Sequence, residues 1–106
     1  MVLNQLSNYE AWNNSGTFYN HVDQIPGQNK FEEAAACFKK AITLKSDYDI
    51  ALVNLGLIYG KKELFEDAKE YFRKAMKIDG DYAQTARDAI DKIEAGQFQE
   101  FLDAFK

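Results

Sequence analysis

The chain has 106 residues, of which 46% are hydrophobic, and a formal net charge of −4; it makes one small domain with a modest core and is too apolar for general disorder. The acidic balance argues against a nucleic-acid partner, and the basic pairs Lys39-Lys40 and Lys61-Lys62, with acidic residues nearby, read as solvated helix faces. A single cysteine rules out an internal disulfide, and no apolar run approaches the roughly 18 residues of a membrane span.

Residues 1–7 form a short apolar-polar lead. It has neither the basic start nor the long apolar stretch of a signal peptide, so a reducing, cytoplasmic setting is the expectation. A first helix is predicted over about 8–22, capped by Ser7 or Asn8, with Trp12, Gly16 and Tyr19 on one face. Asn4, Asn8, Asn13, Asn14 and Asn20 are poor interior helix formers, so this helix should fray more than the others. Pro26-Gly27 marks a turn. Asn29 with Glu32 reads as a capping box opening a second helix over about 30–45.

A third helix, about 49–61, has Asp47 as its expected cap and carries Leu52, Leu55, Gly56 and Tyr59 on one face. The turn Lys62-Glu63-Leu64 contains no glycine. A fourth helix, about 64–78, aligns Ala68, Phe72 and Ala75. Trp12, Gly16 and Tyr19 match Leu52, Gly56 and Tyr59 at a shift of 40, whereas Ala34, Phe38 and Ala41 match Ala68, Phe72 and Ala75 at a shift of 34. The difference places six inserted residues between the first two helices. Asp81 with Gln84 suggests another capping box for a fifth helix to about residue 95, with Ala86, Ala89, Ile90 and Ile93 inward. After Gly96, Phe98, Phe101, Leu102 and Phe105 form an i, i+3, i+4, i+7 stripe.

The stretch from Tyr48 to Asp81 closely resembles a tetratricopeptide repeat, whose pattern is W-x2-L-G-x2-Y…A-x3-F…P at a period of 34. Leu52 replaces the Trp and Gly80 the Pro. The resemblance implies an all-α solenoid of about six helices in one domain: a first repeat over about 9–47, with its insertion near 23–30; a second over about 48–81; and a degenerate, capping third over 82–106. Ile90 stands where that pattern expects Gly.

Chemistry has few residues to use. His21, the only histidine, falls at the exposed end of the first helix, and Cys37 reads as a small packing residue. Pairs such as Glu32-Glu33 and Glu66-Asp67 sit in first turns, where they suit the helix dipole. No enzyme activity, metal or cofactor is expected.

The resemblance instead implies a scaffold or adaptor that holds a peptide or helix of another protein in a concave groove. Carried onto this chain, the groove would be lined by Glu10, Asn13, Thr17 and Asn20; by Ile50, Val53, Asn54 and Leu57, with Lys61 at the rim; and by Gln84, Arg87, Asp91 and Glu94. Ile50, Val53 and Leu57 lie opposite Leu52, Leu55 and Tyr59, so the third helix is apolar on both sides and must be covered. The lysines and arginine with which some relatives clamp a chaperone carboxylate are missing; only Asn54 matches, and Asp88 stands in the Arg position. The alternative is self-association into a dimer or stack through the aromatic tail, Phe98, Phe101, Leu102 and Phe105.

Overall fold

The computed structural model describes residues 8–104. They form six α-helices and, among the described residues, no strand: α1 (Tyr9–Asp23), α2 (Phe31–Leu44), α3 (Asp49–Lys61), α4 (Phe65–Met76), α5 (Ala83–Glu94) and α6 (Phe98–Asp103). The lead 1–7, including Ser7, and Phe105 lie outside the described residues.

Asn8 is the cap of α1. Its backbone is extended, and its Oδ1 accepts the N–H groups of Glu10 at 2.8 Å and Ala11 at 3.4 Å. The other three expected caps do not form. Lys30, not Asn29, precedes α2 with ψ near 17°, which is not an extended cap, and its N–H donates to Asp23 Oδ1 at 2.8 Å. Asp47 sits one residue too early for α3 and pairs with Lys45 at 3.1 Å. Gln84 donates to Asp88 at 2.8 Å and does not reach back to Asp81.

Two helix ends share one geometry. After α3, Glu63 donates to the Gly60 carbonyl and Leu64 to that of Tyr59; after α5, Gly96 donates to Ile93 and Gln97 to Lys92. Both are Schellman closures, which require a left-handed residue. Gly96 supplies it at φ 72° without strain, but Glu63 must adopt φ 61° with a side chain attached. Glu63 therefore does the work of the missing turn glycine.

Helices α1 and α2 pack together, as do α3 and α4; α2 then meets α3, and α4 meets α5. The molecule measures 45 × 37 × 22 Å, and its thinnest dimension is that of two helices of roughly 10–12 Å each. The first two pairs close the same way. A methyl group added to Gly16 would lie 2.7 Å from the Phe38 ring, and one added to Gly56 would lie 2.6 Å from that of Phe72. These glycines let a first helix touch the phenylalanine of its partner. In the third pair Ile90 occupies the equivalent place, so that seat is gone. Phe98 finds another on α3, where a methyl group at Gly60 would overlap its ring. Phe98 is 4% exposed and shares a core with Leu52, Val53, Ala68, Phe72, Ala75, Ala86 and Ala89. The tail thus caps its own stack.

Candidate interaction surface

Helices α1, α3 and α5 stand side by side. α3 contacts α5, and two side-chain hydrogen bonds join α1 to α3. Asn54 Nδ2 donates to Asn13 Oδ1 at 3.1 Å, and Lys61 Nζ donates to Asn20 Oδ1 at 2.8 Å. Asn13 to Asn20 is a step of seven residues, and so is Asn54 to Lys61. Two turns of helix separate the members on each side, so the pairs form one polar seam along neighbouring helices. Among the described residues Asn13 is a buried polar side chain, and its partner explains why it can be.

The structure brings together the residues expected on α1 and α3. Thr17 is half-buried and donates to the Asn13 carbonyl at 3.1 Å. Ile50, Asn54 and Leu57 are half-buried. Val53 is not open: it is 5% exposed and belongs to the core that α5 helps to close. The apolar stripe on α3 is therefore two side chains, Ile50 and Leu57, about 10.5 Å apart along the axis. Glu10, Gln84, Arg87, Asp91 and Glu94 are exposed.

Lys61 departs from its reading as a solvated residue. It is half-buried, and burial pulls its ammonium below the ordinary lysine range; the adjoining Lys62 acts the same way, and Asp23 acts against it. Lys62 is also engaged, at 3.1 Å from Asp23 and 5.6 Å from the centre of the Phe31 ring. Asp23 holds both the start of α2 and the turn after α3. Burial disfavours its charge, but the Lys30 N–H and the Lys62 ammonium together bring the carboxyl below its ordinary value. Nothing in the repeat pattern flags Asp23, because it belongs to the insertion. Gly60 had a signal, a small residue one turn beyond Gly56.

Of the tail residues, Phe98 is inside the chain, whereas Phe101 and Leu102 are half-buried. His21 is exposed. Cys37 is buried, and that burial, helped by the Glu33 charge, raises its thiol. Among the described residues no helix is long and apolar enough to cross a membrane.

A family model described as TPR repeat matches residues 28–63, and one described as Tetratricopeptide repeat matches residues 50–82. A search of curated proteins finds no match. The matched span, 28–82, covers about half of the chain and holds the Gly56–Phe72 contact; the chain belongs to the tetratricopeptide repeat family.

Proposed function

We propose that the chain is a scaffold or adaptor module that holds a peptide or helix of another protein in the groove formed by α1, α3 and α5. Repeats of this family are in general protein-interaction modules without enzymatic activity. The observation that carries the finer reading is Leu57. It is an apolar side chain left half-buried on the first-helix face, one turn from a lysine and beside a seam of amides. Apolar contact there supplies affinity, and the polar groups at its border set orientation. The partner is a protein or peptide, in a cytoplasmic setting, and neither nucleic acid nor a membrane.

Self-association through the tail is the second reading. It has Phe101 and Leu102 to work with, since Phe98 is already used within its own chain. Short random peptides displayed and selected on the full chain test the groove. Binders that compete with one another and are lost on Leu57→Glu support it. Binders that ignore that substitution, or apparent mass that rises with protein concentration through α6, count against it.

A further inference from the structure

A solenoid repeat has two joining faces, one toward the repeat before it and one toward the repeat after it. The joint between the first two pairs is visible. Leu55 and Ile58 of α3 pack on Ala34, Ala35 and Phe38 of α2, and Ile58 is 2% exposed. Beside them, Asn13 and Asn20 of α1 bond to Asn54 and Lys61 of α3. The repeat shifts carry this joint to the two ends of the stack. Forty residues back from α3, the incoming face of α1 has Phe18 for Ile58, Ser15 for Leu55, Asn14 for Asn54 and His21 for Lys61. All four are exposed, Phe18 by 61%. Forward from α1 by 40 and then 34, the outgoing edge of α5 has Arg87 for Asn13 and Glu94 for Asn20, both exposed. Helices α2 and α6 each begin at a phenylalanine, Phe31 and Phe98, so Phe101 and Leu102 correspond to Ala34 and Ala35.

The two ends fit one another. Large and small side chains have changed sides: Leu55 meets alanines at the inner joint, whereas Ser15 stands in its place on α1 and Phe101 and Leu102 stand for the alanines on α6. The polar positions match as well. In the repeat register Arg87 falls opposite Asn14, and Glu94 opposite His21. A guanidinium donates to an amide oxygen, and an imidazole N–H donates to a carboxylate. Within its own chain Glu94 meets Lys69 at 4.0 Å, well beyond the roughly 2.7–2.9 Å of a strong charge-assisted bond. A repeat that ends a stack presents a polar outer face, and Phe18 makes that of α1 apolar at its centre. We infer that a second copy of this chain docks there, with α1 of one copy standing as the next first helix against α5 and α6 of another. Phe18 then lies on Phe101 and Leu102, and His21 donates to Glu94. Such a head-to-tail joint is heterologous, so copies add without closing. It needs α1 and α5 as well as α6, which sets it apart from tail-on-tail association. It leaves Leu57 uncovered and continues the groove from one copy into the next, so it goes beyond the groove reading and is compatible with it.

The test follows the mass of the full chain against its concentration by sedimentation velocity. The mass is expected to rise and not to level at two copies. Phe18→Asp and Leu102→Asp each block one end, so each alone should stay monomeric, and an equal mixture of the two should form a dimer and nothing larger. Glu94→Lys and His21→Glu should each weaken association about fivefold, and the double variant should regain it. Both of these residues are exposed, so the exchange decides the matter even if circular dichroism finds Leu102→Asp unfolded. A wild type that is monomeric at every concentration overturns the inference and leaves the groove standing. A mass that levels at two copies overturns it in favour of tail against tail. Folded blocked variants that fail to pair on mixing, or an exchange that does not restore association, overturn it as well.

Discussion

The Phe98 ring lies on the bare backbone of Gly60, joining the tail helix to the second helix pair and not only to its own partner α5. Phe98 is the buried residue of α6. Phe98→Ala should therefore cost about 3 kcal/mol in urea unfolding, the lower end for such a truncation, because the stack end can relax. Gly60→Ala should also destabilise, although Ala is favoured over Gly in a helix by about 1 kcal/mol. The two changes are coupled. In the Phe98→Ala background the obstruction is gone, so Gly60→Ala should become stabilising. A Gly60→Ala effect of the same sign in both backgrounds would refute the contact.

Glu63 makes a different prediction. Its left-handed backbone is strained by its Cβ, and glycine removes that strain at some cost in unfolded-chain entropy. Glu63→Gly should raise stability by about 0.5–1 kcal/mol. Glu63→Val, branched at Cβ, should lower it. Equal melting of all three proteins would show that the turn tolerates any residue.

Acid should undo the link between the insertion and the second pair. The folded-state pKa of Asp23 is depressed, so its contribution is complete above the ordinary carboxyl value of 3.8 and is lost as pH falls through the lower folded value. Asp23→Asn should reduce the urea midpoint at neutral pH, and the gap to wild type should narrow once the solution is more acidic than the folded value. A gap independent of pH would assign the effect to something other than charge.

The amide pair can be measured by a double-mutant cycle. Asn13→Ala leaves Asn54 without its partner, and Asn54→Ala does the reverse to a buried group, so each should cost about 1–3 kcal/mol. Their effects should fall short of additivity by about 1 kcal/mol in unfolding free energy. Additive losses would mean that the two amides do not act together.

The periodic parts of the fold were legible in the sequence. Leu52, Leu55, Gly56 and Tyr59, with Ala68, Phe72 and Ala75, specify two faces at helical spacing, and their shifts of 40 and 34 reveal the longer connection after α1. Capping was legible only at Asn8, since a cap depends on the backbone of one residue, and Lys30 and Tyr82 are not extended. At the site, the pattern placed Asn13, Asn20, Asn54 and Lys61 on facing helices but could not pair them. Pairing depends on how α1 and α3 stagger, which no spacing within one helix encodes. Val53 was drawn into the core by α5, a neighbour that the periodicity of α3 alone does not contain.

The most direct test of the groove compares Leu57→Glu with Leu55→Glu. Leu55 has no exposed surface and packs with Phe38 and Ile58, so a carboxylate there should unfold the chain. Leu57 is half-buried, so Leu57→Glu should keep its helix content by circular dichroism. Binding of peptides selected on the wild type is then measured by fluorescence anisotropy. The account predicts at least about a tenfold loss of affinity for Leu57→Glu with the fold intact. Undiminished binding by a folded Leu57→Glu protein would contradict it.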